Sequence, residues 1–161
     1  MKRRDRRLWA SAGSLADLGE LTAQWCAGAI TETPGHAGPP DDETLPYLDL
    51  LAAVNRAGFV TENSQAADRD WTAWVCGFAD SATTGWLLSD AAGAGLTGKG
   101  LEPRAQEEIR YWYLRRCPQA RSAIQAARLI WIEDPEPGRN DLLWPVLAAF
   151  ASGDHPNGDG R

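Results

Sequence analysis

Leu15, Leu18, Leu21, Thr22 and Trp25 recur every three or four residues and paint one apolar face, with Ser14 placed to cap the turn before them. That spacing predicts a helix from Leu15 to about Cys26, with Trp9 closing over its first turn. Three prolines and two glycines between Thr31 and Pro40 then mark a turn-rich loop. Asp41 or Asp42 caps a second predicted helix, whose buried stripe is Leu45, Leu48, Leu51, Ala52 and Val54, with Gly58 at its C-terminal cap. Phe59-Val60-Thr61 reads as a short strand emptying into polar residues 62–65. The aromatic and β-branched run Trp71–Ala79 reads as its antiparallel partner.

Asp80 or Ser81 caps a helix reaching about Ala92, with Trp86 and Leu87 pointing inward, and the glycine-spaced residues 93–101 supply a turn and a short strand. Segment 103–117 carries two patterns. Pro103 and the spacing of Ile109, Trp112, Tyr113 and Arg116 favour helix, whereas the β-rich residues 109–114 favour strand. A short helix over 118–127 leads to Arg128-Leu129-Ile130-Trp131-Ile132, a continuous apolar run suited to a central strand. The last helix is expected from Asp141 to Phe150. These elements predict a single α/β domain over residues 9–151, a small mixed sheet of about four strands flanked by helices. A basic tail over 1–8 and a disordered tail over 152–161 bracket it.

Composition narrows the function classes. The 161 residues carry 16 basic and 22 acidic side chains, a net charge of −6. Residues 1–7 hold five basic groups and one acidic, so the remainder has 11 basic against 21 acidic and a net charge of −10. Such a body repels nucleic acid, whose binding depends on neutralising phosphates. No apolar run is long enough to span a membrane, and no signal peptide follows the basic start. Cys26, Cys76 and Cys117 lack metal-binding spacing and are odd in number, which points away from a disulfide framework and towards the cytoplasm. The glycines after Ala92 do not form a phosphate-binding fingerprint, since no strand precedes them and no capped helix follows at once.

Three stretches together resemble an uncharacterised actinobacterial family, a domain of unknown function. They are residues 34–39 with Glu43-Thr44; residues 55–61 with Ser64-Gln65; and residues 134–136 with 138–141 and 143–145. The likeness runs from Trp9 to Phe150. This chain is shorter than the family between about Gly98 and Gln106, and it has Ala66-Ala67 where Pro-Gly is expected. The resemblance implies a shared fold and no activity.

Two predicted strands end in polar loops, and strand ends are where open sheets present side chains to ligands. If they meet, Thr61, Glu62, Asn63, Ser64 and Gln65 form one cleft with Asp134, Arg139 and Asn140. Residues 133–141 have a net charge of −3 and residues 61–70 of −2. Two like charges about 4 Å apart cost about 4 kcal/mol at an effective dielectric of about 20. A bare anion is therefore disfavoured, and an amine, a neutral polar molecule or a phosphate carried with Mg²⁺ fits better. Arg139 paired with Asp134 or Glu136 is the competing structural role. The eight tryptophans belong mostly to apolar faces. Trp71 and Trp74 cannot share a face in a regular strand, so one of them is available to a partner protein or a second copy of the chain.

The expectation is a binding module for a polar or cationic small molecule or a protein partner. The enzymatic alternative is a hydrolase or transferase using Glu62, Ser64, Asp134 and Arg139 with His36 as the base. Cys76 in that alternative reads as a buried hydrophobe rather than a nucleophile. A third alternative contacts nucleic acid through residues 1–7.

Overall fold

The computed structural model describes residues 1–153. The chain runs through α1 (Arg3–Ser11), α2 (Leu15–Cys26), a 3₁₀ helix (Asp42–Tyr47), α3 (Leu48–Arg56), β1 (Val60–Gln65), β2 (Trp74–Ala79) and α4 (Ser81–Gly93). It continues through β3 (Thr97–Gly100), α5 (Pro103–Arg116), a second 3₁₀ turn (Pro118–Ala120), α6 (Arg121–Ala126), β4 (Arg128–Glu133) and α7 (Leu143–Ser152). Among the described residues this is one α/β domain, seven helices packed against a four-stranded sheet.

The sheet order is β1-β2-β4-β3, and every pairing is antiparallel rather than mixed. After the β1–β2 hairpin, α4 carries the chain to the far edge for β3. Helices α5 and α6 then return it so that β4 slots between β2 and β3, antiparallel to both. Residues on β2 and β4 alternate between two cores. Val75, Ile130 and Ile132 pack with Leu51, Leu87 and Leu147 from α3, α4 and α7. Phe78 and Leu129 pack on the opposite face with Trp9, Tyr113 and Ile124 from α1, α5 and α6. Tyr113 lies edge-on to both Trp9, at 6.5 Å, and Phe78, at 4.8 Å. A Cβ on Gly77 would run into the backbone of Val60 and Thr61, so β1 and β2 close only over glycine.

The two best-signalled helices form as expected. Ser14 accepts the Asp17 amide at the start of α2, and Asp80 accepts the Thr83 amide at the start of α4. Segment 103–117 is helical, with Pro103 in its first turn.

Other expectations meet the structure as follows. The basic start, separated above as a tail, is helix α1, held by Trp9 and by a buried Asp5 that accepts both the amide and the hydroxyl of Thr31. The Thr31 hydroxyl, then its amide, hold that carboxyl below its ordinary pKa. Leu45 is 52% exposed instead of buried, because Pro46 keeps this stretch in a 3₁₀ turn and α3 begins only at Leu48. Trp86 points inward as expected, half-buried against Phe150. Trp71 lies ahead of β2, which starts at Trp74, so the conflict between their faces does not arise.

The first two residues of the tail expected over 152–161 belong to the last helix and its cap. Ser152 ends α7 and Gly153 caps it in the left-handed region at φ 72°. The rest of that segment, with His155, lies outside the described residues. Among the described residues no helix is long and apolar enough to cross a membrane.

Candidate functional site

Since β1 and β4 are both antiparallel to β2, they run in the same direction and end together. Gln65 pairs with Trp74, and Trp74 with Glu133. The segments that follow these strands, 66–73 and 134–141, therefore meet, but they meet by bonding to each other. Asn140 donates to the Ala67 carbonyl at 2.9 Å, and its Oδ1 accepts the Ala67 amide at 2.8 Å and the Trp144 indole at 3.0 Å. The Gly138 amide donates to the Trp71 carbonyl and the Asp134 amide to the Ala73 carbonyl.

Asp134 is 0% exposed. Its carboxylate receives Arg139 Nε on both oxygens, Arg139 Nη2 at 2.7 Å and the Glu136 amide at 3.0 Å. Burial pushes its pKa up, but the Arg139 and Glu136 hydrogen bonds outweigh burial and hold it below the ordinary carboxylate value. Arg139 also pairs with Glu136 at 3.1 Å. Asp134 and Arg139 thus clamp loop 134–141 internally, the structural competitor weighed for Arg139, and Asn140 ties that loop to Ala67.

The other half of the expected cleft lies elsewhere. Thr61, Glu62, Asn63 and Ser64 line a cavity with His36, Trp25, Asp41 and Thr44. Its volume is about 20 Å³, room for about one water molecule. Within it, Thr61 is taken up by Asn55, which donates to its hydroxyl at 2.7 Å and accepts its amide at 2.9 Å. A bulge between Thr61 and Asn63 interrupts β1, and Asn63 Oδ1 accepts the Ser64 amide. His36 sits edge-on to Trp25 at 5.4 Å, with Nε2 3.0 Å from the Pro39 carbonyl. Against a carbonyl that nitrogen serves as donor, which leaves it without a lone pair to take a proton from Ser64.

Glu62 packs beside Gly35, where any Cβ would meet its carboxylate. Burial raises its pKa, His36 opposes that rise and Glu108 adds to it. Burial also pushes the Cys76 thiol up to about 12, far from a working nucleophile. Among the described residues no three of His, Cys, Asp and Glu gather where they could hold a metal ion. Of the carboxylates that suggested a Mg²⁺-borne phosphate, Asp134, Glu136 and Asp141 face Arg139, and Glu133 accepts from Thr72 and Trp131.

The sheet end presents a feature that the eight tryptophans only hinted at. The indoles of Trp74 and Trp131 stack with centroids 4.1 Å apart and planes 18° from parallel. Both are half-buried. Alternation puts Trp74 and Cys76 on one face, and Trp131 pairs with Cys76, so the stack lies on a single face of the sheet. Each indole N–H is pinned, Trp74 to Gln65 Oε1 at 3.2 Å and Trp131 to Glu133 Oε2 at 3.1 Å. The Thr72 hydroxyl secures the other oxygen of Glu133 at 2.6 Å. Trp71, in the loop that leads into β2, is 62% exposed. Sequence reasoning reached Trp71 and Trp74 through their spacing. It missed Trp131, since partnership across the sheet depends on β4 slotting beside β2.

A 59-residue stretch, 37% of this chain, is 37% identical to methylenetetrahydrofolate reductase 1 of Schizosaccharomyces pombe. The chain spans 10% of that protein's length, too little to bring an activity across. A broader match covers residues 4–97, more than half of the chain, though less than the Trp9–Phe150 likeness read from the sequence. It is to the domain of unknown function DUF6919, and the chain belongs to that family.

Proposed function

We propose that this chain is a binding module that docks a cationic segment of a partner protein on the end of the sheet bearing Trp71, Trp74 and Trp131. The observation that carries the proposal is the exposed Trp71, three residues ahead of a stacked indole pair whose edges are already held by Gln65 and Glu133. Aromatic side chains are enriched at the centres of interfaces, and those already held in place lose little entropy on binding. The surrounding loops supply the charge. Asp68, Asp70, Glu136 and Asp141 are exposed there and outnumber Arg69 and Arg139, on a body of strongly negative net charge. A guanidinium or ammonium group over an indole face gains both cation–π attraction and that acidic rim. Three buried free cysteines suit the reducing cytoplasm as the compartment.

The test is a titration of the chain with an arginine-rich peptide and with a glutamate-rich peptide of equal length, followed by tryptophan fluorescence. Saturable, salt-sensitive binding of the first alone is expected, and Trp71→Ala should weaken it about tenfold while leaving Tm unchanged. Equal affinity of the wild type and Trp71→Ala would mean that only overall charge is at work and would sink the proposal.

A further inference from the structure

Independently of that surface, we infer that the groove between the Glu32–Ala37 loop and the last turns of α5 binds a small organic carboxylate with an apolar body. The groove has a volume of about 250 Å³ and is lined by Pro34, His36, Trp112 and Arg116 together with Glu32. It shares no residue with the tryptophan-bearing end of the sheet.

Arg116 is the starting point. Its Nε is buried and has no hydrogen-bond partner, and among the described residues it belongs to no ion pair. Its neighbours on α5 differ. Arg110 donates to the carbonyls of Ile124 and Ala127 at the end of α6, and Arg115 donates to the Tyr111 hydroxyl. A buried guanidinium N–H without an acceptor is costly, and the same guanidinium belongs to a residue in the groove wall, where an acceptor can be supplied from outside.

The opposite wall is built in advance. Asp5 holds Thr31, the Trp9 indole donates to the Glu32 carbonyl at 3.0 Å and the Trp25 indole to the Gly38 carbonyl at 2.9 Å. Thr33 and His36 bond to each other, through the Thr33 amide to the His36 carbonyl and the His36 amide to the Thr33 hydroxyl. The loop therefore stands without help from a ligand.

Charge and shape select the occupant. Glu32 is paired with the Met1 amine at 2.6 Å, which leaves Arg116 as the uncompensated charge of the groove. A carboxylate offers two coplanar oxygens that match a guanidinium edge, Nε included. Trp112 and Pro34 give the body of such a ligand apolar surface to cover. A compact dianion is less suited, because the carbonyl end of α5 lies at Arg116 and Glu62 packs behind Gly35. The size of the groove is below that of drug-sized pockets, so the ligand is a small one.

The experiment titrates the full chain with benzoate, using inorganic phosphate and benzylamine as comparators. It follows the Arg116 Nε–H resonance by NMR alongside tryptophan fluorescence. Benzoate should shift that resonance saturably, phosphate more weakly and benzylamine not at all. Arg116→Gln should weaken benzoate by about tenfold or more with an unchanged circular-dichroism spectrum. No saturable shift below about 10 mM benzoate would overturn the assignment, and so would affinity that survives Arg116→Gln. Should that variant fail to fold, the wild-type resonance decides alone, since a water molecule filling the groove would leave it unmoved by benzoate.

Discussion

The two carboxylates that looked most alike as candidates, Glu62 and Asp134, are driven in opposite directions by their surroundings. Asp134 is enclosed but fully bonded, so its native pKa is depressed. Its contribution to stability is present above the unfolded value near pH 4 and is lost as pH falls through the native value. Glu62 is desolvated without comparable partners, so its native pKa is raised. Between the unfolded and native values the folded chain binds the extra proton, and stability falls as pH rises. At neutral pH Glu62 is then a liability to the fold. Glu62→Gln should raise Tm by a few degrees at pH 7, and the gain should vanish towards pH 4, as read by thermal melts across that range. A constant gain at every pH would show that packing, not ionisation, is responsible. Sequence alone could not separate these two acids, because the difference rests on an arginine five positions from one and a glycine loop folded against the other.

Elements were legible where a local signal and a tertiary demand agreed. The caps Ser14 and Asp80 and the apolar run of β4 each state an element unaided. Segment 103–117 is helical because Ile109, Trp112, Tyr113 and Arg116 share a helix face while their β propensity goes unused. Helix α1 was hidden because its buried residues are Asp5 and Trp9, with a charged residue where an apolar one is normally read. The loop pair shows the same limit. That loops 66–73 and 134–141 end together follows from strand direction, but their closure depends on Asn140 reaching Ala67, 73 positions earlier. Asn140→Ala leaves the Ala67 amide and carbonyl and the Trp144 indole without this partner, at a cost of about 2 kcal/mol. Tm should fall by about 4–8 °C, with a smaller loss for Asn140→Asp, which keeps the acceptor. An unchanged Tm would mean that the loops hold together without Asn140.

At the scale of the molecule, the sheet is the shared floor of two cores, and each core holds a thiol. Cys26 packs with α3 and α7 on one side, and Cys117 packs with α1 and α6 on the other. Cys76 lies within β2 between them. Burial raises all three, Cys26 to about 11 and Cys76 and Cys117 to about 12, so none reacts appreciably while the fold is closed. Removing either helical layer would strip β2 and β4 of the packing on one face and expose strands that are apolar on both, so the layers are expected to open together. A disulfide reagent at pH 8 should therefore leave the native chain unlabelled. In increasing urea all three cysteines should react at one common rate that tracks loss of circular dichroism. Labelling of Cys117 ahead of Cys26 would show instead that the α1–α5–α6 layer detaches alone, and that the sheet does not couple its two faces.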